Sequence, residues 1–118
     1  MKRSFLKCVV LLLIALCLLL GACSRRTGTT WQEQYDLGVR YLSEGNYEEA
    51  IIAFTAAIEI DPNRAEAYVG RGDAYVGSGE TEENLTAALA DYEAALGLDE
   101  TSAAAWLGLA DVYIRQGE

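Results

Sequence analysis

The sequence predicts an all-α protein in which repeated helical units follow a cleaved export signal. Its first seven residues carry three positive charges and precede an uninterrupted apolar run from Cys8 to Leu20. Farther along the chain, small and aromatic residues recur together at a spacing of 34 and then 38 residues. Most tyrosines of this part lie at helical spacing, which is typical of a stripe that faces a core.

The N-terminal segment has the three parts of a secretory signal peptide: a basic start, a short apolar run and small residues before a cleavage site. A permanent membrane span needs about 20 apolar residues, whereas this run has 13. The sequence therefore predicts a cleaved signal over residues 1–22. A span extended through Gly21 and Ala22 is the alternative.

The block Leu20-Gly21-Ala22-Cys23 resembles the lipobox of bacterial lipoproteins. That resemblance implies a diacylglyceryl group on the Cys23 thiol, with acyl chains such as palmitate, and cleavage before Cys23. Residues 23–30 would then form the lipidated cysteine and a polar tether, and two acyl chains give stable anchoring. The alternative is an ordinary signal peptide in which Cys23 is incidental.

This anchor predicts a location in the bacterial cell envelope. The protein would lie on the outer side of the cytoplasmic membrane or in the outer membrane. Ser24, next to the anchor, carries no charge that would retain the protein at the inner membrane. In a cell with two membranes, that favours the outer one.

The composition of the mature part excludes several classes of function. Beyond residue 22 there are six arginines and 18 acidic residues, which gives a net charge of −12. Such a surface repels nucleic-acid backbones and anionic headgroups, so membrane attachment has to come from the lipid. The chain has no histidine, and its three cysteines lie at or before position 23. We therefore expect no catalytic residue, no metal site, no cofactor and no disulfide.

The repeat is visible residue by residue. Gly38 and Gly72 are 34 residues apart, whereas Gly72 and Ala110 are 38 apart. The four extra residues lie between Gly79 and Ala88 and correspond to about one helical turn. We expect them to lengthen the second helix of that unit at its start. The residues that make up the repeat signature are Leu37, Gly38, Tyr41, Ala50, Phe54, Ala57, Pro62, Gly72, Tyr75, Ala88, Tyr92, Ala95, Trp106, Ala110 and Tyr113.

This signature resembles the tetratricopeptide repeat, over about Trp31 to Glu118. The resemblance implies a right-handed α-solenoid of antiparallel helix pairs, with about 2.5 units in a domain of residues 31–118. The units are expected at about 31–64, 65–102 and, incomplete, 103–118. In such a fold the small residues lie where helices approach closely and the aromatic residues fill the gaps, so the whole signature is interpreted as structural.

The predicted helices lie near 31–44, 47–60, 64–78, 82–97 and 102–116. Thr30 and Glu33 have the spacing of a capping box at the start of the first of them, and Asn46 and Glu49 have the same spacing before the second. Pro62 ends the second helix, since proline cannot continue it.

The resemblance also implies that partner binding lies on a concave groove lined by the first helix of each unit. The residues predicted to face that groove are Gln32, Tyr35, Val39, Leu42, Glu66, Val69, Asp73, Val76, Ala104, Leu107, Asp111 and Ile114. They mix apolar and acidic side chains, so we expect an extended or helical peptide with apolar anchors and basic residues. The alternative is that Asp73 and Asp111 are merely solvated charges.

The functional prediction is a membrane-anchored, non-catalytic scaffold that binds a protein or peptide partner and is a monomer or weak dimer. One alternative is an N-terminal docking arm of a larger envelope protein, whose catalytic or assembly domain lies beyond Glu118. Another is self-association in envelope assembly. The sequence does not name the partner, because one repeat framework serves many ligands.

Overall fold

The computed structural model describes residues 2–24 and 29–117. Over these residues the protein is all-helical, with six helices and no strand. Each helix predicted in the repeat region is present, and its ends lie within one residue of the prediction. The helices are α1 (Lys2–Ser24), α2 (Trp31–Ser43), α3 (Tyr47–Ile60), α4 (Ala65–Ser78), α5 (Glu82–Leu98) and α6 (Ala103–Arg115).

The first helix stands apart from the others. Within the described residues, α1 packs against none of the other helices, and its side chains from Lys2 to Leu16 are exposed. Within the part of the chain that the structure describes, none of the helices has the length and apolar content that crossing a bilayer requires. The boundary at residue 22 and the tether over 23–30 remain predictions; residues 25–28 and the Cys23 side chain lie outside what is described.

The two predicted capping boxes differ in outcome. At α2 the prediction is confirmed: the Glu33 N–H donates to Thr30 Oγ1 at 3.2 Å, and the Thr30 N–H donates to Glu33 Oε2 at 2.9 Å. At α3 it is wrong, since Asn46 makes no side-chain cap bond there and its amide donates instead to Glu44. The reason lies in the preceding turn. Gly45 has a φ of 76°, and the Asn46 N–H bonds back to the Tyr41 carbonyl, so Asn46 closes α2.

The four-residue insertion lengthens helices and leaves the number of residues in the turn unchanged. The connections between α2 and α3 and between α4 and α5 both have three residues. By contrast, α5 has 17 residues against 14 in α3, and α4 has 14 against 13 in α2. Three of the extra residues therefore extend α5 at its start, as predicted, and one extends α4 at its end.

Each of the two complete units has one aromatic ring enclosed by glycines. The fully buried Phe54 ring lies between Gly38 of α2 and Gly70 of α4, where an added Cβ would come within 2.7 and 2.5 Å of ring atoms. These two side-chain-free positions make room for the ring, because interiors are close-packed. We call this arrangement a ring socket.

The Tyr92 ring occupies the second socket, between Gly72 of α4 and Gly108 of α6. A Cβ on Gly72 would lie 2.8 Å from the ring. Gly38 and Gly72 belong to the predicted signature, whereas Gly70 and Gly108, which are 38 residues apart, were not predicted. Because each socket is built from two helices of adjacent units, its ring joins one unit to the next.

Most other signature residues of the first two units are buried or half-buried, whereas Pro62, which follows the end of α3, is exposed. Ala50, Ala57, Ala88 and Ala95 have no exposed surface, and Tyr41 and Tyr75 are half-buried against the two core clusters. In the third unit the packing prediction is not met within the described chain. Trp106 is 54% exposed, Tyr113 is 37% exposed and Ala110 is also exposed, because no described helix lies on that face of α6.

A largely buried ion pair, which was not predicted from the sequence, joins the two helices of the second unit, and one further hydrogen bond from it reaches the first unit. Arg71 of α4 donates to both carboxylate oxygens of Asp91 on α5, at 2.9 and 2.7 Å, and to Thr55 Oγ1 on α3 at 3.2 Å. The hydrogen bond to Asp91 raises the pKa of Arg71, although burial acts in the opposite direction. The guanidinium and the carboxylate form two parallel charge-assisted hydrogen bonds, which offset much of the free-energy cost of removing the two charges from water.

Candidate functional site

The first helices of the three units, α2, α4 and α6, supply most of the lining of two cavities on one side of the stack. The two cavities follow one another along this side. The first has a volume of about 220 Å³ and lies between α2, α4 and the start of α6. The second has a volume of about 450 Å³ and lies between α4, α5 and α6. Asp73 and Ala104 line both cavities, so we treat the two as one groove.

Most residues predicted to face the groove line one of these cavities. Those of the first cavity are Tyr35, Val39, Leu42, Glu66, Val69, Asp73 and Ala104. Those of the second are Asp73, Val76, Ala104, Leu107 and Asp111. Gln32 and Ile114 line neither cavity. The Gln32 amide donates to Asp36 on its own helix at 2.8 Å, and Ile114 is 74% exposed near the end of α6.

Several lining residues were missed by the sequence analysis. Phe54 and Tyr92 were assigned to packing alone, yet each ring also lines one cavity. Asp99 and Ser102 reach the first cavity from the turn between α5 and α6. Helical spacing cannot locate residues of a turn, and it does not reveal that a buried ring borders a cavity where the neighbouring positions are glycines.

The floor of the second cavity carries a polar pair. The Tyr92 hydroxyl donates to Asp73 Oδ1 at 2.5 Å. Burial raises the pKa of the Asp73 carboxyl, whereas the hydrogen bond from Tyr92 lowers it. Burial and the bond to Asp73 raise the pKa of the Tyr92 phenol far above its ordinary value. The phenol therefore stays a donor and holds the carboxylate in place.

The groove has one sign of charge. Its ionisable carboxylates are Glu66, Asp73, Asp99 and Asp111, and none of the described lining residues is arginine or lysine. Burial raises the pKa of the Tyr35 phenol in the first cavity, and the nearby charge of Glu66 adds to this effect.

The described arginines that form ion pairs do so at the rim or away from the groove. Arg115 pairs with Asp111 at 2.8 Å and also with Glu80, Arg64 with Asp61 and Arg71 with Asp91. Arg64 also lies over the Trp31 ring, 4.3 Å from its centroid. Within the described residues, Asp73 therefore accepts a hydrogen bond from the Tyr92 hydroxyl but takes part in no ion pair.

Comparison with protein families gives two matches. A family model described as TPR repeat matches residues 38–79, which run from the second half of α2 to the end of α4. A second model, described as tetratricopeptide repeat, matches residues 81–118, which contain α5 and α6. A comparison with curated proteins found no match.

Proposed function

Because residues 38–79 and 81–118 carry tetratricopeptide repeats, we propose that this chain is a membrane-anchored scaffold that binds a peptide or protein partner in its groove. Such repeats are protein–protein interaction scaffolds, and repeat domains of this kind are generally non-catalytic. The groove would be the concave side of a right-handed solenoid. The observation that carries the proposal is the continuity of the two cavities across all three first helices.

The shape and lining of the groove suit a chain segment better than a small reactant. Apolar side chains such as Val39, Val69 and Leu107 offer contact surface to a bound segment, and a few carboxylates can fix its orientation through polar contacts. The proposal of a non-catalytic role rests on composition, because the sequence lacks histidine and has no lysine beyond Lys7.

A peptide selection with a blocking variant tests this function. A random library of 12-residue peptides is selected on the full chain in detergent micelles, and the dissociation constants of selected peptides are measured by fluorescence anisotropy. Ala104→Trp fills the junction of the cavities and should weaken binding at least tenfold, while Ala90→Trp, at an exposed position of α5, should not. Equal binding by both variants would exclude the groove as the binding site.

The proposed anchor is a diacylglyceryl group on Cys23, which would hold the scaffold at the bacterial cell envelope. The Leu20-Gly21-Ala22-Cys23 block, directly after a basic start and an apolar run, supports it. The intact mass of native protein extracted from membranes tests it. A mass of residues 23–118 plus the lipid is expected, and retention of residues 1–22 without lipid would contradict it.

The same measurement separates the alternative in which these repeats are the docking arm of a larger envelope protein, because that protein would have a larger lipidated mass. We further propose that the protein is a monomer or weak dimer. Sedimentation at micromolar concentration tests this, and a tight, defined oligomer would favour a role in assembly.

A further inference from the structure

We propose, on the basis of the groove function above, that the partner segment carries one arginine or lysine between apolar side chains. The Asp73 carboxylate receives that basic group where the two cavities meet. Asp73 is on α4, the middle of the three lining helices, and it lines both cavities. A segment that follows the groove therefore passes this carboxylate with cavity space on either side.

The apolar positions on both sides set the order of side chains in the partner. On one side of Asp73 lie Tyr35, Val39 and Val69 of the first cavity. On the other side lie Val76 and Leu107 of the second. Leu107 is 74% exposed, so a bound apolar side chain would remove a large surface from water. An apolar, basic, apolar order in the partner matches this arrangement.

The distribution of ion pairs sets Asp73 apart from the other groove carboxylates. Asp111 is already paired with Arg115 of its own helix, and Asp99 accepts two bonds from Thr101. Glu66 lines only the first cavity. Asp73 lies where the two cavities meet and forms no ion pair with any described residue. Its carboxylate can therefore accept a charge-assisted hydrogen bond from a guanidinium or ammonium group of a partner.

Tyr92 prepares this carboxylate for binding. Its hydroxyl holds Asp73 Oδ1 at 2.5 Å, and its ring is fixed in the socket between Gly72 and Gly108. A carboxylate whose orientation is already fixed loses less freedom on binding, which favours affinity. Tyr92 is accordingly a positioning residue, while Asp73 makes the contact.

The peptide selection described above also tests this inference. Selected peptides should share one basic position flanked by apolar residues. For such a peptide, Asp73→Asn should weaken binding about tenfold (about 1.4 kcal/mol) and should remove the advantage of the arginine peptide over its glutamine version. Glu93→Gln, an exposed position of α5 outside the groove, changes the net charge equally and should have no effect.

A second variant keeps the test decisive if Asp73→Asn folds poorly. The double variant Asp73→Val with Tyr92→Phe copies the first unit, where Val39 and Phe54 hold the same positions, so it leaves no hydroxyl unpaired. It should bind the arginine and glutamine peptides equally. Retention of the arginine preference in both variants would overturn the inference.

Peptides selected without a basic position would also overturn it. In that case sensitivity to Ala104→Trp would show that the groove function itself stands. Loss of sensitivity to Ala104→Trp would instead remove the groove function and this inference together.

Discussion

The two ring sockets are built alike but differ in polarity. Phe54 lies between Gly38 and Gly70, and Tyr92 lies between Gly72 and Gly108. The groove position beside the first ring is Val39, and the repeat spacing places Asp73 beside the second. The hydroxyl and the carboxylate that it binds are thus present together in one unit and absent together in the other.

The buried ion pair likewise consists of two polar residues that are both present in the second unit and both absent from the first. Arg71 and Asp91 of the second unit occupy the positions of Leu37 and Ala53 in the first. A buried polar atom is costly unless it has a partner, so a change at one position is accompanied by a change at its neighbour. In this way one repeat framework holds an apolar ring socket in the first unit and a polar one in the second.

The largest effect is expected from emptying the first socket. Phe54→Ala removes a fully buried ring and should lower the free energy of unfolding by about 3–5 kcal/mol. Urea denaturation followed by circular dichroism measures it. Ile52→Ala, on the same helix at a position that is 69% exposed, should stay within about 0.5 kcal/mol of the wild type. If both variants lost the same free energy of unfolding, the buried ring would contribute no more to stability than an exposed side chain of the same helix.

Next in size is the effect of separating the buried charges. Asp91→Ala leaves Arg71 unpaired and should cost about 2–4 kcal/mol, since Arg71 keeps partial access to water. Adding Arg71→Leu restores the residue pair of the first unit and should recover most of this loss in the same denaturation experiment. A double variant as unstable as Asp91→Ala would mean that the two units are not equivalent at these positions.

Removal of the Tyr92 hydroxyl should have a smaller effect. Tyr92→Phe takes one hydrogen bond from Asp73 and should lower the free energy of unfolding by about 1 kcal/mol, because Asp73 retains contact with water. The matched variant Phe54→Tyr, which adds a hydroxyl in the first socket without a carboxylate beside it, should also be destabilised. Stabilisation by Phe54→Tyr would contradict the account of paired polarity.

The last expected effect appears only at alkaline pH. The pKa of Tyr92 is raised in the folded protein, so above pH of about 10 the unfolded chain loses the phenolic proton while the folded chain keeps it. Stability present below this pH is then lost as the pH rises, by up to about 1.4 kcal/mol per pH unit. Denaturation of wild type and Tyr92→Phe at neutral and alkaline pH should show their difference shrinking. A constant difference would contradict this assignment.

Local signals made the helices predictable from the sequence. Thr30 with Glu33, the turn glycine Gly45 and Pro62 each act within a few residues, and the spacing of Gly72 and Ala110 located the insertion. Asn46 does precede α3, but the predicted capping box with Glu49 was wrong, because Asn46 is also part of the turn that closes α2 and spacing alone does not show which bonds its side chain makes.

Contacts between distant residues were harder to predict. The pairing of Arg71 with Asp91 spans 20 residues, and nothing in either residue's neighbourhood indicates it. Helical position gave much of the cavity lining on α2, α4 and α6, although the binding role of these residues stays a prediction. It could not give Asp99 and Ser102, because the path of a turn depends on the helices that it joins.

The buried ion pair also constrains how this repeat could have arisen by single substitutions. Starting from the Leu and Ala of the first unit, either order of change passes through an intermediate with an unpaired charge. Arg71 is 22% exposed and Asp91 only 6%, so a long arginine can reach water while a lone aspartate at the second position cannot. Arginine alone is therefore expected to destabilise the fold less than aspartate alone, so the order of the two substitutions decides how unstable the intermediate is.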